Sequence, residues 1–408
     1  MQCLYHETTR TYTYLLVCVV LIVVPQGFLI WFHDPWNTFK TIEIRRAEFN
    51  TSGLNLTSDN KPRLNVIILT DQSSGSSFVG NLFNLHPDVF YLFEPISGIR
   101  ETTYKDKDRP GEPSVLDKKT MDAFRIDFTN LLLDTFACTF QSNDTVQELF
   151  PDWLQHPKNG VFAWRNPETK LTQESLRKAC NSRRITVVKI MQFRLPDGIG
   201  VQQLQRVCSS EPTQFDCLII HFVRDPRAVL SSLISRRFFL ENTHDRNLIP
   251  LHNKDQKAKE FIMRRARRLC SLGEENLNYV NEERSNWFKS RYILVRYEDT
   301  ISNLFKTVIR LYNFTGLPMV TSIRQWILEG KRPIAETFGA EFTISKEDGY
   351  RIESWRFRTG ASLVSEFEEV CWPLMYMMGY ITINGSERRL HDTSQKLWTK
   401  KIPFAFPQ

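Results

Sequence analysis

From about residue 63 onward, short runs of β-branched and aromatic residues alternate with amphipathic stretches of helical period. Asn65 to Thr70, Val89 to Phe93, Ile185 to Ile190, Leu218 to Val223 and Tyr292 to Arg296 are apolar over most of their length, the pattern of strands buried on both faces of a parallel sheet. Helical spacing follows most of them and predicts helices at Phe78 to Leu85, Gly200 to Cys208, Arg227 to Arg236 and Ile301 to Tyr312. The expected fold class is α/β: a central parallel sheet covered by helices on both faces, with ligand at the carboxyl ends of the strands. No internal repeat is evident.

The N-terminal pattern differs. No formally charged residue occurs from Thr11 to Phe32, and Tyr14 to Val24 is an unbroken apolar run. About 20 residues suffice to cross a bilayer. A cleaved signal peptide is the competing reading, but no Ala-x-Ala site follows, Pro25 is awkward beside a cleavage point, and the apolar run resumes after Gly27. The expectation is a cytoplasmic tail over 1–11, a transmembrane signal-anchor helix over 12–32 and a lumenal stem over 33–62. A catalytic domain over 63–385 and a C-terminal tail over 386–408 complete the division. Asn50, Asn55, Asn143, Asn313 and Asn384 each begin an Asn-x-Ser/Thr triplet and all follow the span, which favours a lumenal C-terminal side.

Composition narrows the partners. The net charge of +7 favours anionic ligands, while the chain carries no recognised nucleic-acid motif and no basic stripe interleaved with aromatics. Cys138, Cys180, Cys208, Cys217, Cys270 and Cys371 lie beyond the span, an even number suited to lumenal disulfides whose pairing spacing does not reveal. Buried free thiols are the alternative, for which Cys217 on a core strand and Cys371 on an apolar helix are suited. No CxxC or clustered Cys/His pattern suggests zinc, and no metal is expected.

The chemistry centres on Leu64 to Pro95, where a strand leads through a small-residue loop into a helix, and a second strand ends in Glu94. Such a loop lets the N–H groups of Ser74, Gly75, Ser76 and Ser77 turn inward around oxyanions at a helix N-terminus. A purely structural turn is the alternative. Gly75 is followed by Ser76, Ser77 and Phe78, so the Lys-Ser/Thr of a Walker A loop is missing, and no GxGxxG opens the helix. A second strand-to-helix junction follows Cys217: Arg224 and Asp225 end the strand, Pro226 starts a helix, and Ser232 lies about two turns along it. Arg224 and Ser232 can converge on one phosphate. Two such junctions imply a ligand with two anionic groups.

These segments resemble the Golgi carbohydrate 6-O-sulfotransferases that act on galactose, N-acetylgalactosamine and N-acetylglucosamine. VRDPRA at Val223 to Ala228 with Ser232, VFYLFEP at Val89 to Pro95, VVK at Val187 to Lys189, VRYED at Val295 to Asp299, ESWRF at Glu353 to Phe357 and the stretch Cys371 to Tyr380 carry the likeness. The resemblance implies a P-loop-like sulfotransferase fold and 3′-phosphoadenosine 5′-phosphosulfate as co-substrate. It implies that the first loop, including Ser73 and Phe78, holds the 5′-phosphosulfate, and that Arg224 and Ser232 hold the 3′-phosphate. It implies also a glycan or proteoglycan acceptor, and a single-pass type II protein of the Golgi membrane. One position departs: Ser73 stands where the family's loop has an arginine, expected to neutralise the bridging and leaving phosphate oxygens. Gln72 or Lys189 is a candidate to compensate. A catalytically weakened glycan-binding protein of the same fold is the alternative reading.

Sulfuryl transfer to a hydroxyl needs a proton acceptor, and Glu94, at a strand end beside the loop, is the candidate base. Its alternatives are a cap on the Pro95 turn or an ion pair with a basic residue. Lys189 is a candidate contact to donor or glycan. Trp355 and Arg356 are candidates to close over the nucleotide, against a core tryptophan beside a surface arginine. Arg264, Arg265, Arg267 and Arg268 in a helical pattern suit either a solvated face or an acidic polymer, His221 reads as a core histidine, and Arg100 to Pro113 reads as a surface loop beside the site.

Overall fold

The structure, a computed structural model of the chain, describes residues 2–3, 18–24, 27–33, 62–96, 99, 117–140, 172–235, 256–283, 286–329 and 352–404. The chain divides into two compact units, Met1–Asp59 and Asn60–Gln408. In the first, β1 (Gln2–Cys3) pairs antiparallel with β2 (Cys18–Val24), which pairs antiparallel with β3 (Gly27–His33), Val24 lying opposite Gly27. The described part of the apolar stretch expected as a helix over 12–32 is thus a hairpin. Val19, Val20, Ile22, Val23 and Val24 favour extended backbone. Pro25 would also cost a helix through this stretch a hydrogen bond. Among the described residues no helix is long and apolar enough to cross a membrane.

In the second unit all five expected strands form one sheet. β4 (Arg63–Thr70), β5 (Val89–Phe93), β6 (Ile185–Met191), β7 (Phe215–Val223) and β8 (Tyr292–Arg296) lie in the order β5-β6-β4-β7-β8, every neighbouring pair parallel. Consecutive side chains alternate between two helical layers. Ile67, Leu69, Val188, Ile190 and Ile219 share a core with helices α2 (Lys118–Phe136), α3 (Val201–Ser210), α5 (Gln256–Glu282) and α7 (Ala361–Met378). Val66, Ile68, Val187 and Ile220 pack with α1 (Ser76–Asn84) and α6 (Leu304–Thr315) on the opposite face. Each such side chain, removed from water, contributes about 1.5–3 kcal/mol before entropy is subtracted.

The helix expected over 301–312 is two helices, Tyr297–Ser302 and α6, parted at Asn303, whose side chain accepts the Lys306 N–H and caps the second. Helix α4 (Pro226–Ser235) follows β7 as expected. The domain does not end at 385. Leu390 and Leu397 are buried, Tyr380 pairs with Trp398, and the Phe404 N–H donates to the Met377 carbonyl, so the chain through Phe404 belongs to the core rather than to a tail. Apolar residues at 390, 397 and 398 supply the reason.

Three disulfides, Cys138–Cys180, Cys208–Cys217 and Cys270–Cys371, join pairs whose Cα atoms lie 5.6, 5.5 and 5.1 Å apart. Cys217 and Cys371 are therefore not free thiols. Asn313 and Asn384 are exposed, while Asn50, Asn55, Asn143 and residues 101–113 lie outside the described residues.

Candidate active site

Because the strands are parallel, Glu94, Gln192, Asp71, Arg224 and Tyr297, each next after its strand, stand along one edge of the sheet. The chain turns from β4 toward β5 and β6, and from β7 toward β8, so β4 and β7 flank the point where the connections diverge. Crevices for ligands open there in α/β sheets. Both predicted anion junctions sit at it.

The first loop is shaped by its own hydroxyls. Ser74 Oγ lies 2.7 Å from Thr70 Oγ1 and donates to the Asp71 carbonyl at 2.6 Å, so this hydroxyl closes the loop rather than facing a ligand. Gly75 adopts φ +83°, and a Cβ there would fall 2.5 Å from Tyr297 Cε2. Only glycine fits both the left-handed backbone and the ring. Ser76 and Ser77 open α1, where N–H groups have no intrahelical acceptor, and the Phe78 ring is buried against the second core.

The second junction is joined to the first. Arg224 Nη1 donates to the Ser73 carbonyl at 2.7 Å, and the guanidinium lies 4.4 Å from the centre of the Tyr297 ring. Ser73, at φ +60°, has its Oγ buried without a hydrogen-bond partner, and Arg224 Nε is in the same condition. Buried orphans are rare enough to point to an absent partner. Two orphans of donor type beside a left-handed glycine and a helix N-terminus fit an oxyanion. Ser232 lies on α4, half-buried, in the second turn.

Asp225 does not face this crevice. Its carboxylate takes the Arg227 side chain at 2.7 and 3.0 Å, Arg227 also donates to Glu368 at 2.6 Å, and its guanidinium lies 4.9 Å from the centre of the Trp355 ring. Glu298 Oε1 accepts the Asp225 N–H and Oε2 the Tyr380 hydroxyl, in a setting where burial, then Asp225, pushes its carboxyl up to about 7. This network fixes the turn that aims Arg224.

Glu94 is ion-paired. Its carboxylate meets Lys189 Nζ at 3.0 Å and Arg194 Nε at 3.1 Å, with its backbone at φ +50°. Burial raises its affinity for a proton, but the two cations outweigh burial and hold the carboxyl below its ordinary value. Burial also lowers the Lys189 ammonium against the pull of Glu94. Lys189 bridges to the first loop, donating to Ser77 Oγ at 3.1 Å. The anion loop and the candidate base are thus linked through one ammonium.

Two expectations fail. Arg356 is fully buried, and its guanidinium donates to Glu353 and to the carbonyls of Leu390, Gln395, Arg389 and Asp392. All five N–H groups are consumed in tying the C-terminal segment, leaving none for a nucleotide. Trp355 is buried among Ala228, Val364 and Ile383 and covers Arg227, a core position. His221 is a core histidine bonded to the Tyr292 hydroxyl, burial lowering it to about 4. Arg194, Tyr297 and Glu298 were not foreseen as site residues; the signals that could have found them were their positions just past strand ends and, for Tyr297 and Glu298, the VRYED stretch that contains them. Among the described residues no cluster of His, Cys, Asp and Glu has the makings of a metal site.

A sequence model of the sulfotransferase family matches residues 216–321, which span β7, Arg224, α4, α5 and β8. The chain is 27% identical to human carbohydrate sulfotransferase 1 over 360 residues, 82% of this chain and 83% of that one. It is 27% identical to the Danio rerio protein of the same name over 368 residues, 84% of each. Against mouse carbohydrate sulfotransferase 5 the identity is also 27%, over 354 residues, 82% of this chain and 85% of that one. Among solved structures, the sulfotransferase domain of the Synechococcus PCC 7002 olefin synthase aligns with a TM-score of 0.39 at 17% identity, covering 77% of this chain and 94% of that one. The match of residues 216–321 to the sulfotransferase family model and the carbohydrate sulfotransferases that align over most of the chain together support a sulfotransferase enzyme.

Proposed function

We propose that the protein transfers the sulfuryl group of 3′-phosphoadenosine 5′-phosphosulfate to the 6-hydroxyl of a galactose, N-acetylgalactosamine or N-acetylglucosamine unit in a glycan or proteoglycan. The observation that carries this reading is the junction of two anion cradles through Arg224 and Ser73. A donor with phosphate at both ends of one nucleoside needs two such cradles a fixed distance apart. Ser76, Ser77 and the Gly75 turn would hold the 5′-phosphosulfate, and Arg224 with Ser232 the 3′-phosphate. The donor supplies an activated sulfur whose bond to the phosphate oxygen is ready to break.

The acceptor oxygen attacks sulfur, the S–O bond to phosphate breaks, and the electron pair leaves with the nucleotide. The hydroxyl proton passes to Glu94. That carboxylate is ionised and buried, and Lys189 ties it to the donor loop at Ser77. Binding of an anion at the loop competes with Glu94 for Lys189, which releases the carboxylate to take a proton as charge develops. Positioning and charge supply most of the rate.

The carbohydrate acceptor is supported by relatives whose names state that substrate. Lumenal residence in the Golgi, as a type II membrane protein held by the uncharged stretch from Thr11 to Phe32, is supported by three disulfides and by exposed sequons at Asn313 and Asn384. Transfer of radiolabelled sulfate to a panel of galactose-, N-acetylgalactosamine- and N-acetylglucosamine-ended acceptors tests the reading. Label at the 6-position of one of them is the expected result. Absence of transfer with nucleotide binding intact would reduce the protein to a glycan-binding relic.

A further inference from the structure

The first loop carries no positive charge of its own: from Asp71 to Phe78 it reads DQSSGSSF, with one carboxylate as its only formal charge. Departure of the nucleotide puts an electron pair on a phosphate oxygen held at this loop, and a site built of hydroxyls and amides alone leaves that charge uncompensated. Cations reach the loop from other elements. Lys189 meets Ser77 but is committed to Glu94 at 3.0 Å, and Arg224 meets the Ser73 carbonyl from the second cradle. The third is Arg265 on α5, whose Nη2 donates to Gln72 Oε1 at 3.2 Å, one residue before Ser73.

Of the run Arg264, Arg265, Arg267 and Arg268, the first and third are exposed. Arg268 is spent on Asp197 and on the carbonyls of Phe193 and Leu195. Arg265 turns toward the loop. It is half-buried, its guanidinium lies 5.2 Å from the centre of the Phe193 ring, and it lines a small cavity with Asp71, Gln72, Phe193 and Leu269. Partial burial beside an aromatic face strengthens its field at the loop. Asp71 does not fully cancel it, because burial pushes that carboxyl up to about 7 against the pull of Arg265 and Arg268.

We propose that Arg265 supplies from helix α5 the positive charge that the donor loop lacks at Ser73, stabilising the phosphate of the departing nucleotide. The proposal rests on the sulfotransferase reading above. A guanidinium delivered from a neighbouring helix serves the same oxygen as one placed in the loop, and Gln72 holds it in register.

The test pairs calorimetric binding of adenosine 3′,5′-bisphosphate with steady-state sulfate transfer by the full chain. Arg265→Gln is expected to weaken nucleotide binding about tenfold and to lower kcat about 100-fold, the scale of one transition-state donor, with little change in acceptor KM. Ser73→Arg placed in that variant is expected to restore both to within about threefold of the wild type. Arg265→Lys, which keeps the charge and guards against a folding defect, is expected to retain nucleotide affinity and lose about tenfold in kcat. A wild type that binds no bisphosphate overturns the parent reading. A wild type that binds and turns over, with Arg265→Gln equal to it, overturns this proposal alone. So does a folded Arg265→Gln variant that Ser73→Arg fails to rescue, or an Arg265→Lys variant as impaired as Arg265→Gln.

Discussion

Arg224 Nη1 donates to the carbonyl of Ser73 at 2.7 Å, across 151 residues of chain. This bond makes the two cradles one object. The Tyr297 ring completes it, with the Arg224 guanidinium 4.4 Å from the ring centre and the Gly75 backbone so close to the ring that no Cβ fits.

Arg224→Ala therefore removes both a ligand cation and the tie that holds the first loop. One charged hydrogen bond is worth about 1.5–3 kcal/mol, roughly a 10- to 100-fold loss in affinity for adenosine 3′,5′-bisphosphate. Calorimetry is expected to show a loss at the upper end. A change under threefold would remove Arg224 from nucleotide binding.

Glu94→Gln is expected to lose turnover by at least 100-fold, the range of a general base. It also leaves the Lys189 ammonium, 1% exposed, without its carboxylate, which costs about 3–5 kcal/mol. Adding Lys189→Met removes the stranded charge. The double variant is expected to regain most of the melting temperature and none of the activity, a split that thermal denaturation and sulfate transfer read separately.

The sheet was legible because five strands buried on both faces leave five apolar runs, and the observed ends differ from the runs by at most three residues, at the start of β7. Arg224 and the serine loop were legible for a related reason: each sits within a few residues of its strand. Partners from elsewhere in the chain were not. Glu94 is answered by Lys189 and Arg194 on the next strand and its turn, and Arg356 by carbonyls 33 to 39 residues ahead. A guanidinium reads the same in sequence whether it faces water, a phosphate or backbone oxygens. Only packing decides.

The disulfides differ in the length of chain they close, with separations of 9 residues for Cys208–Cys217 and 101 for Cys270–Cys371. In the chain-entropy account these correspond to about 3 and nearly 5 kcal/mol. Cys270–Cys371 also staples α5, which carries Arg265, to α7. Replacing that pair by alanine is expected to lower the melting temperature more than replacing Cys208 and Cys217.

Glu298 gives the protein a pH dependence of definite sign. Its carboxyl is buried and pushed up to about 7, so between its ordinary value of 4.5 and about 7 the native state holds a proton that the unfolded chain has released. Stability from this group is then greatest below pH 4.5, falls as pH rises through that window, and is flat above it. The full difference is on the order of 3 kcal/mol. Asp71, also raised to about 7, slopes the same way, so the contribution of Glu298 is isolated by comparing variants rather than by the wild-type curve. Glu298→Gln keeps an oxygen for the Asp225 N–H while removing the charge next to Asp225. Chemical denaturation from pH 5 to 8 is expected to show the variant gaining on the wild type as pH rises, with the crossover below pH 7. Parallel curves would mean that Glu298 is ionised in the folded protein throughout, with Arg224 compensating it.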